Sequence, residues 1–198
     1  MKFLKTAVFL LCLAPFGWLI WAIFTGSLSA NPLDDITDVT GRWTLRFLLI
    51  TLAVSPLRQL TRRHALIRFR RMLGLFAFFY GFLHFVTYIV FNHFFDFDGI
   101  VIDVAKRPYI TVGFTGFVLM IPLAVTSTKK WIVRLGGRRW QLLHRAIYVS
   151  ALAGVVHYLW LVKLDTRYPV RYALVLSALL GFRLWHVIHP KVSAKLSP

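Results

Sequence analysis

A chain of 198 residues that is 58% hydrophobic, 16% aromatic and only 16% charged has too little charge and too many long apolar runs for a soluble domain. Its net charge of +17 would ordinarily invite a nucleic-acid partner, but the basic residues gather between alternate apolar runs, where membrane topology accounts for them. The single cysteine, Cys12, excludes an intrachain disulfide and any cysteine-built metal centre.

Six runs approach the roughly 20 helical residues that cross about 30 Å of hydrocarbon. They fall near 7–24, 43–57, 72–92, 108–126, 141–162 and 169–186. Lys2 and Lys5 precede the first, and Ser27-Leu28-Ser29-Ala30 after it has the small residues of a cleavage site. The apolar stretch is longer than a usual signal-peptide core, and Pro15 and Trp18 interrupt it, so it is expected to remain as the first span. The second run is the shortest and ends at Arg58, Arg62, Arg63, Arg68, Arg70 and Arg71. Between the third and fourth runs lies the longest outer connection, where Phe94, Phe95 and Phe97 suit a membrane-surface belt. Lys129, Lys130, Arg134, Arg138 and Arg139 lie between the fourth and fifth. A short link through Lys163 makes the fifth and sixth antiparallel neighbours.

Charge orients the whole. All seven acidic residues are aspartates in the other set of connections: Asp34, Asp35, Asp38, Asp96, Asp98, Asp103 and Asp165. By the positive-inside rule the arginine-rich connections are cytoplasmic, and so are both termini. The expected fold is an all-α integral membrane protein, a six-helix transmembrane bundle forming one domain over 1–198, with lipid around it and no nucleic-acid partner. No G-x-G-x-x-G or phosphate-binding loop occurs, so a soluble electron donor or acceptor has to be another molecule.

Within the spans the ionisable set is almost purely imidazole: His84, His144 and His157. A bilayer penalises such groups unless they serve a pathway, a relay or a cofactor. Neutral imidazole is the commonest metal ligand, and two facing imidazoles can hold a haem between helices. His84 lies roughly 18 Å along its helix from Met72, and His157 roughly 24 Å along its own from Gln141, both running outward. They are therefore expected at comparable depth in the outer half, one axial ligand from each helix. Gly81 and Gly154 each precede a histidine by three residues and are expected to let a flat macrocycle approach the backbone.

His144 lies about 20 Å nearer the cytoplasm than His157, and a straight helix rotates it by about 140° from that residue. It is expected to serve a second haem, a flavin or a quinone, or simply to sit at the interface near Arg138 and Arg139. His64, His93, His186 and His189 sit in connections or at span ends, where solvation explains them. Of these, His64 and His186 remain candidates to complete an inner site with His144.

Several strings, taken in order, resemble a known family over nearly the whole chain: Asn31-Pro32, Thr40-Gly41-Arg42, Arg70-Arg71-Met72-Leu73-Gly74-Leu75, Leu83-His84, Arg107-Pro108-Tyr109-Ile110-Thr111, Trp140-Gln141-Leu142-Leu143-His144 and His157-Tyr158-Leu159-Trp160. The family is that of the haem-binding membrane subunits of bacterial periplasmic protein-methionine-sulfoxide reductase systems, the MsrQ or YedZ type. It belongs to the ferric-reductase-like transmembrane group. The resemblance implies haem b bound by His84, His144 and His157 as a set, FMN as a further cofactor, and the bacterial inner membrane as the location. It also implies a periplasmic molybdopterin-containing reductase as partner, with quinol or a cytosolic flavin reductase as donor. The wider group often carries two histidine pairs, whereas the third run here offers only His84.

Two other classes compete. A small ion or proton transporter with a histidine relay usually places carboxylates within its spans, and here every carboxylate lies outside. A membrane anchor without redox function has no need of paired intramembrane imidazoles.

Overall fold

The computed structural model describes residues 2–189, and every regular element among them is helical. In chain order these are α1 (Lys2–Thr25), α2 (Pro32–Thr61), α3 (Ile67–Thr87), α4 (Phe97–Lys106), α5 (Pro108–Val125), α6 (Lys129–Leu135), α7 (Gly137–His144), α8 (Ala146–Leu161) and α9 (Arg167–Ile188). Five stretches of helix are long and apolar enough to cross a membrane: Phe3–Thr25, His64–Asn92, Pro108–Val125, Gly137–Leu161 and Arg167–Ile188. They coincide with five of the six runs expected from sequence.

The sixth expected run lies inside α2, which is 30 residues long and carries Asp34, Asp35, Asp38, Arg42, Arg46 and Arg58. Those charges remove α2 from the apolar class, yet it is the centre of the bundle, burying Leu45, Phe47, Leu48, Leu49, Leu52 and Val54. A helix wrapped by protein needs less lipid-facing apolar surface than one at the rim. Helix α2 packs along α3, and α5 packs along α8. Contacts of α3 with α5 and of α2 with α8 close a four-helix ring in which α3 and α8 stand diagonally opposite. The α5–α8 seam is built from small residues: a Cβ on Gly116 would stand 3.0 Å from the Ala153 Cβ. Such contacts let membrane helices approach closely.

The outer helices are fastened by polar side chains. In α1 the Tyr80 hydroxyl from α3 donates to the Cys12 carbonyl at 2.8 Å and accepts from the Phe16 N–H at 3.1 Å. It thus stands inside the i→i+4 ladder beside Pro15, where a helix is already weakened. Helix α9 is tied to α2 and α8 at two levels. Arg46 Nε donates to the Tyr172 hydroxyl at 3.1 Å, while Arg183 donates to the Leu52 carbonyl at 2.8 Å and to the Tyr148 hydroxyl.

A π-helical turn, Tyr88–Asn92, extends α3 to the expected end of the third run, and α4 follows with Asp96 capping it through the Gly99 N–H. The expected fifth span is not one straight helix. It breaks at Arg145, where Arg145 N–H bonds Leu142 and Tyr148 N–H bonds Arg145 in tighter three-residue steps. The rotation computed for His144 on a straight helix therefore does not apply.

Candidate functional site

His84, on the last turn of α3, and His157, near the end of α8, come together across the diagonal of the ring. Their ring centroids are 6.2 Å apart and their planes stand at 78°. His84 Nδ1 lies 3.0 Å from the Thr37 carbonyl of α2 and 3.4 Å from Thr40 Oγ1. His157 Nδ1 lies 2.7 Å from the Tyr109 carbonyl in the first turn of α5. A carbonyl only accepts, so each Nδ1 carries its proton, and each Nε2 is the nitrogen with a free lone pair. Neither Nε2 has a hydrogen-bond partner among the described residues.

This is the preparation expected of paired metal ligands, in which the far N–H is fixed by a carbonyl and the coordinating nitrogen becomes the stronger donor. Two imidazoles bound to one metal from opposite sides at bonds of about 2.0–2.1 Å place their centroids about 6.3 Å apart. The observed separation fits a haem iron held by this pair. No cluster of three or more His, Cys, Asp or Glu able to hold a metal ion occurs among the described residues.

The glycines that make room are not those expected. A Cβ on Gly113 of α5 would stand 2.7 Å from His157 Nδ1, and one on Gly41 of α2 would stand 3.0 Å from His84 Cε1. Each imidazole thus packs closely against a neighbouring helix at a glycine, most tightly at Gly113. Gly81 and Gly154 instead meet Thr44 and Leu45 of α2, so they serve helix packing rather than access for a macrocycle. Thr40, Gly41 and Tyr109 fall in the strings that carry the family resemblance, but neither they nor Thr37 and Gly113 were expected at the site. Backbone acceptors have no sequence signature, and the two glycines lie on helices without a histidine.

His144 is not brought to this pair. It ends α7 at the arginine-rich end, stacked on Trp140 with centroids 3.9 Å apart. Thr126 Oγ1 donates to the Pro122 carbonyl at 2.6 Å and so accepts from His144 Nε2–H at 3.0 Å, while Trp140 Nε1 donates to the Thr126 carbonyl. His144 borders a cavity of about 510 Å³ whose walls also include Arg70, Arg71, Gln141, Arg145 and Tyr148. No carboxylate lines it. His64 and His186 do not reach this cavity: His64 is exposed, and His186 bonds its own helix at the Phe182 carbonyl.

Comparison with known proteins gives the family. The model of the family described as "Ferric reductase like transmembrane component" matches residues 40–155, which include His84 and His144 and stop just short of His157. The chain is similar to proteins named "Protein-methionine-sulfoxide reductase heme-binding subunit MsrQ". The relative from Herminiimonas arsenicoxydans is 51% identical over 92% of this chain and 84% of its own. That from Azospira oryzae is 54% identical over 91% and 78%, and that from Ralstonia nicotianae 51% identical over 94% and 87%. No solved structure gives a significant match. With the family model covering more than half of the chain and such relatives covering nine-tenths of it, the chain belongs to the ferric-reductase-like transmembrane family, in its MsrQ or YedZ branch.

Proposed function

We propose that the protein is a haem b electron conduit of the bacterial inner membrane. Its electrons come from the quinol pool or a cytosolic flavin reductase and go to a periplasmic molybdopterin-containing methionine-sulfoxide reductase that repairs oxidised envelope proteins. The observation that carries this reading is the His84–His157 pair, 6.2 Å apart, with both Nδ1 atoms fixed by backbone carbonyls. The relatives, named as haem-binding subunits of a protein-methionine-sulfoxide reductase, support a reductase of that class as partner.

His84 and His157 would hold the iron, while Thr37, Thr40 and Tyr109 fix the ring orientations. Bound there, haem supplies a one-electron couple whose potential the surrounding ligation, burial and hydrogen bonding set. The rest of the topology follows from charge. Helix α2 is read as the sixth span, buried within the bundle, and both termini as cytoplasmic, since the arginine-rich connections lie at one end and the aspartates at the other.

The pair lies toward the aspartate end, so an inner carrier is needed for electrons entering from the cytoplasmic side. The cavity beside His144 is the place for it. Its guanidinium groups suit the phosphate of FMN or the carboxylates of a second haem, and a quinol headgroup is the remaining candidate. Acceptor docking is assigned to the periplasmic face, where Asp34 of α2 and Asp96, the cap of α4, are exposed.

A histidine proton relay accounts for the same side chains less well. A relay needs partners in succession across the membrane, whereas His84 and His157 pair with each other and His144 is engaged with Thr126. The test is anaerobic reduction of the purified protein followed by reoxidation with the periplasmic reductase and an oxidised-methionine substrate. Reoxidation that requires the reductase supports the conduit. Reoxidation by the substrate alone overturns it.

A further inference from the structure

One partly buried carboxylate links the end of the His84 helix to the α4–α5 corner, which supplies the backbone acceptor of His157. Asp103 of α4 has a side chain only 14% exposed and gathers three partners. The Tyr88 hydroxyl donates to Oδ2 at 3.0 Å, His93 Nε2 lies 3.3 Å from the same oxygen, and Arg107 Nε pairs with Oδ1 at 2.7 Å. Tyr88 is one helical turn beyond His84, on the same face. Arg107 forms the corner between α4 and α5: its carbonyl accepts from Ile110 N–H and Thr111 N–H, and its guanidinium donates to the Tyr109 hydroxyl at 3.3 Å. Tyr109 in turn supplies the carbonyl that holds His157 Nδ1–H at 2.7 Å. Asp103 is thus a strut from the end of the His84 helix to the backbone acceptor of His157.

We propose that Asp103 is a positioning residue for the imidazole pair, fixing the Tyr109 carbonyl against His157 and holding the two rings at their near-perpendicular angle. The inference rests on the reading of His84 and His157 as haem ligands. Its chemistry has a definite sign. A carbonyl held tightly on Nδ1–H makes the imidazole a stronger donor, which favours the ferric state and lowers the potential. Loosening the α4–α5 corner weakens that hydrogen bond without removing either ligand, so haem stays and its potential rises. Asp98, on the first turn of the same helix, has no ion pair among the described residues and provides the matched control.

The experiment is redox titration and low-spin EPR of the purified haem-loaded protein and of its Asp103→Ala, Asp103→Asn and Asp98→Asn variants. EPR g-values report the angle between the ligand planes, and the titration reports donor strength. Asp103→Ala is expected to retain both ligands, to shift the g-values, and to change the oxidised-to-reduced equilibrium by about threefold to tenfold toward reduction, where tenfold is about 59 mV. Asp103→Asn keeps an acceptor for Tyr88 but loses the charge opposite Arg107, and should lie between Ala and wild type. It also serves as the reading variant should Asp103→Ala fail to accumulate. Asp98→Asn should match wild type. Wild-type potential and g-values in the Asp103 variants would overturn the proposal, and so would an equal shift in Asp98→Asn. Absence of a bis-imidazole signal from the unmutated protein would instead remove the ligand assignment on which the proposal stands.

Discussion

Gly113 lies so close beneath His157 that a single added carbon would stand 2.7 Å from the imidazole Nδ1. Alanine is the better helix former by about 1 kcal/mol, so on helix propensity alone Gly113→Ala should be harmless. The contact reverses that expectation. The ring must turn away from the Tyr109 carbonyl, and haem content should fall several-fold. Gly181→Ala, at a glycine with nothing within 4 Å of the added carbon, should leave haem content unchanged. Haem-to-protein ratios of the two variants decide the matter; equal ratios would remove the steric argument.

Tyr80→Phe tests how α1 is held. The hydroxyl serves both Cys12 C=O and Phe16 N–H, and the ring is fully buried against Phe47. Its loss leaves two backbone groups of α1 without their bridge, a cost of about 1–3 kcal/mol. The solubilised variant should unfold at a lower temperature than wild type, with its haem spectrum unchanged before the transition. An unaltered midpoint would show that α1 closes its own ladder.

Fusion reporters after Arg63 and after Arg134 should report the cytoplasm, and one at Asp98 the periplasm. The basis is the segregation of all seven aspartates from the arginine clusters. A periplasmic signal at either basic connection would invert the topology and remove α2 as a sixth span in that sense.

His144→Ala should slow reduction by an inner-side donor by an order of magnitude or more while leaving the signal of the His84–His157 site in place. The two sites are at opposite ends of the bundle, and His144 contacts Thr126 and Trp140 rather than the pair. Rapid-mixing reduction compared with equilibrium spectra separates the effects. Loss of all haem with the fold intact would tie His144 to the outer pair.

What the sequence made legible and what it hid follow from distance along the chain. His84 and His157 could be matched because helix rise converts residue number into depth, and both runs have recognisable starts. The same arithmetic misplaced the role of Gly81 and Gly154, since it places residues on one helix and says nothing about which neighbour that face meets. Gly41 and Gly113 act on histidines of other helices, and Thr37 and Tyr109 act through carbonyls that every residue type possesses. Helix α2 was expected to be short because only its middle is apolar. Its charged ends continue the helix, which opens with Pro32 in its first position and the first-turn acids Asp34 and Asp35. The break at Arg145 leaves no proline or glycine to announce it.

His84 and His157 are assigned to one haem between α3 and α8. The assignment is tested by the oxidised and dithionite-reduced visible spectrum with a pyridine haemochrome count, taken on the wild-type protein and on His84→Ala and His157→Ala. A low-spin b-type spectrum is expected in the wild type, with its loss or strong reduction in each variant. Retention of the wild-type spectrum and haem content in either variant would contradict it.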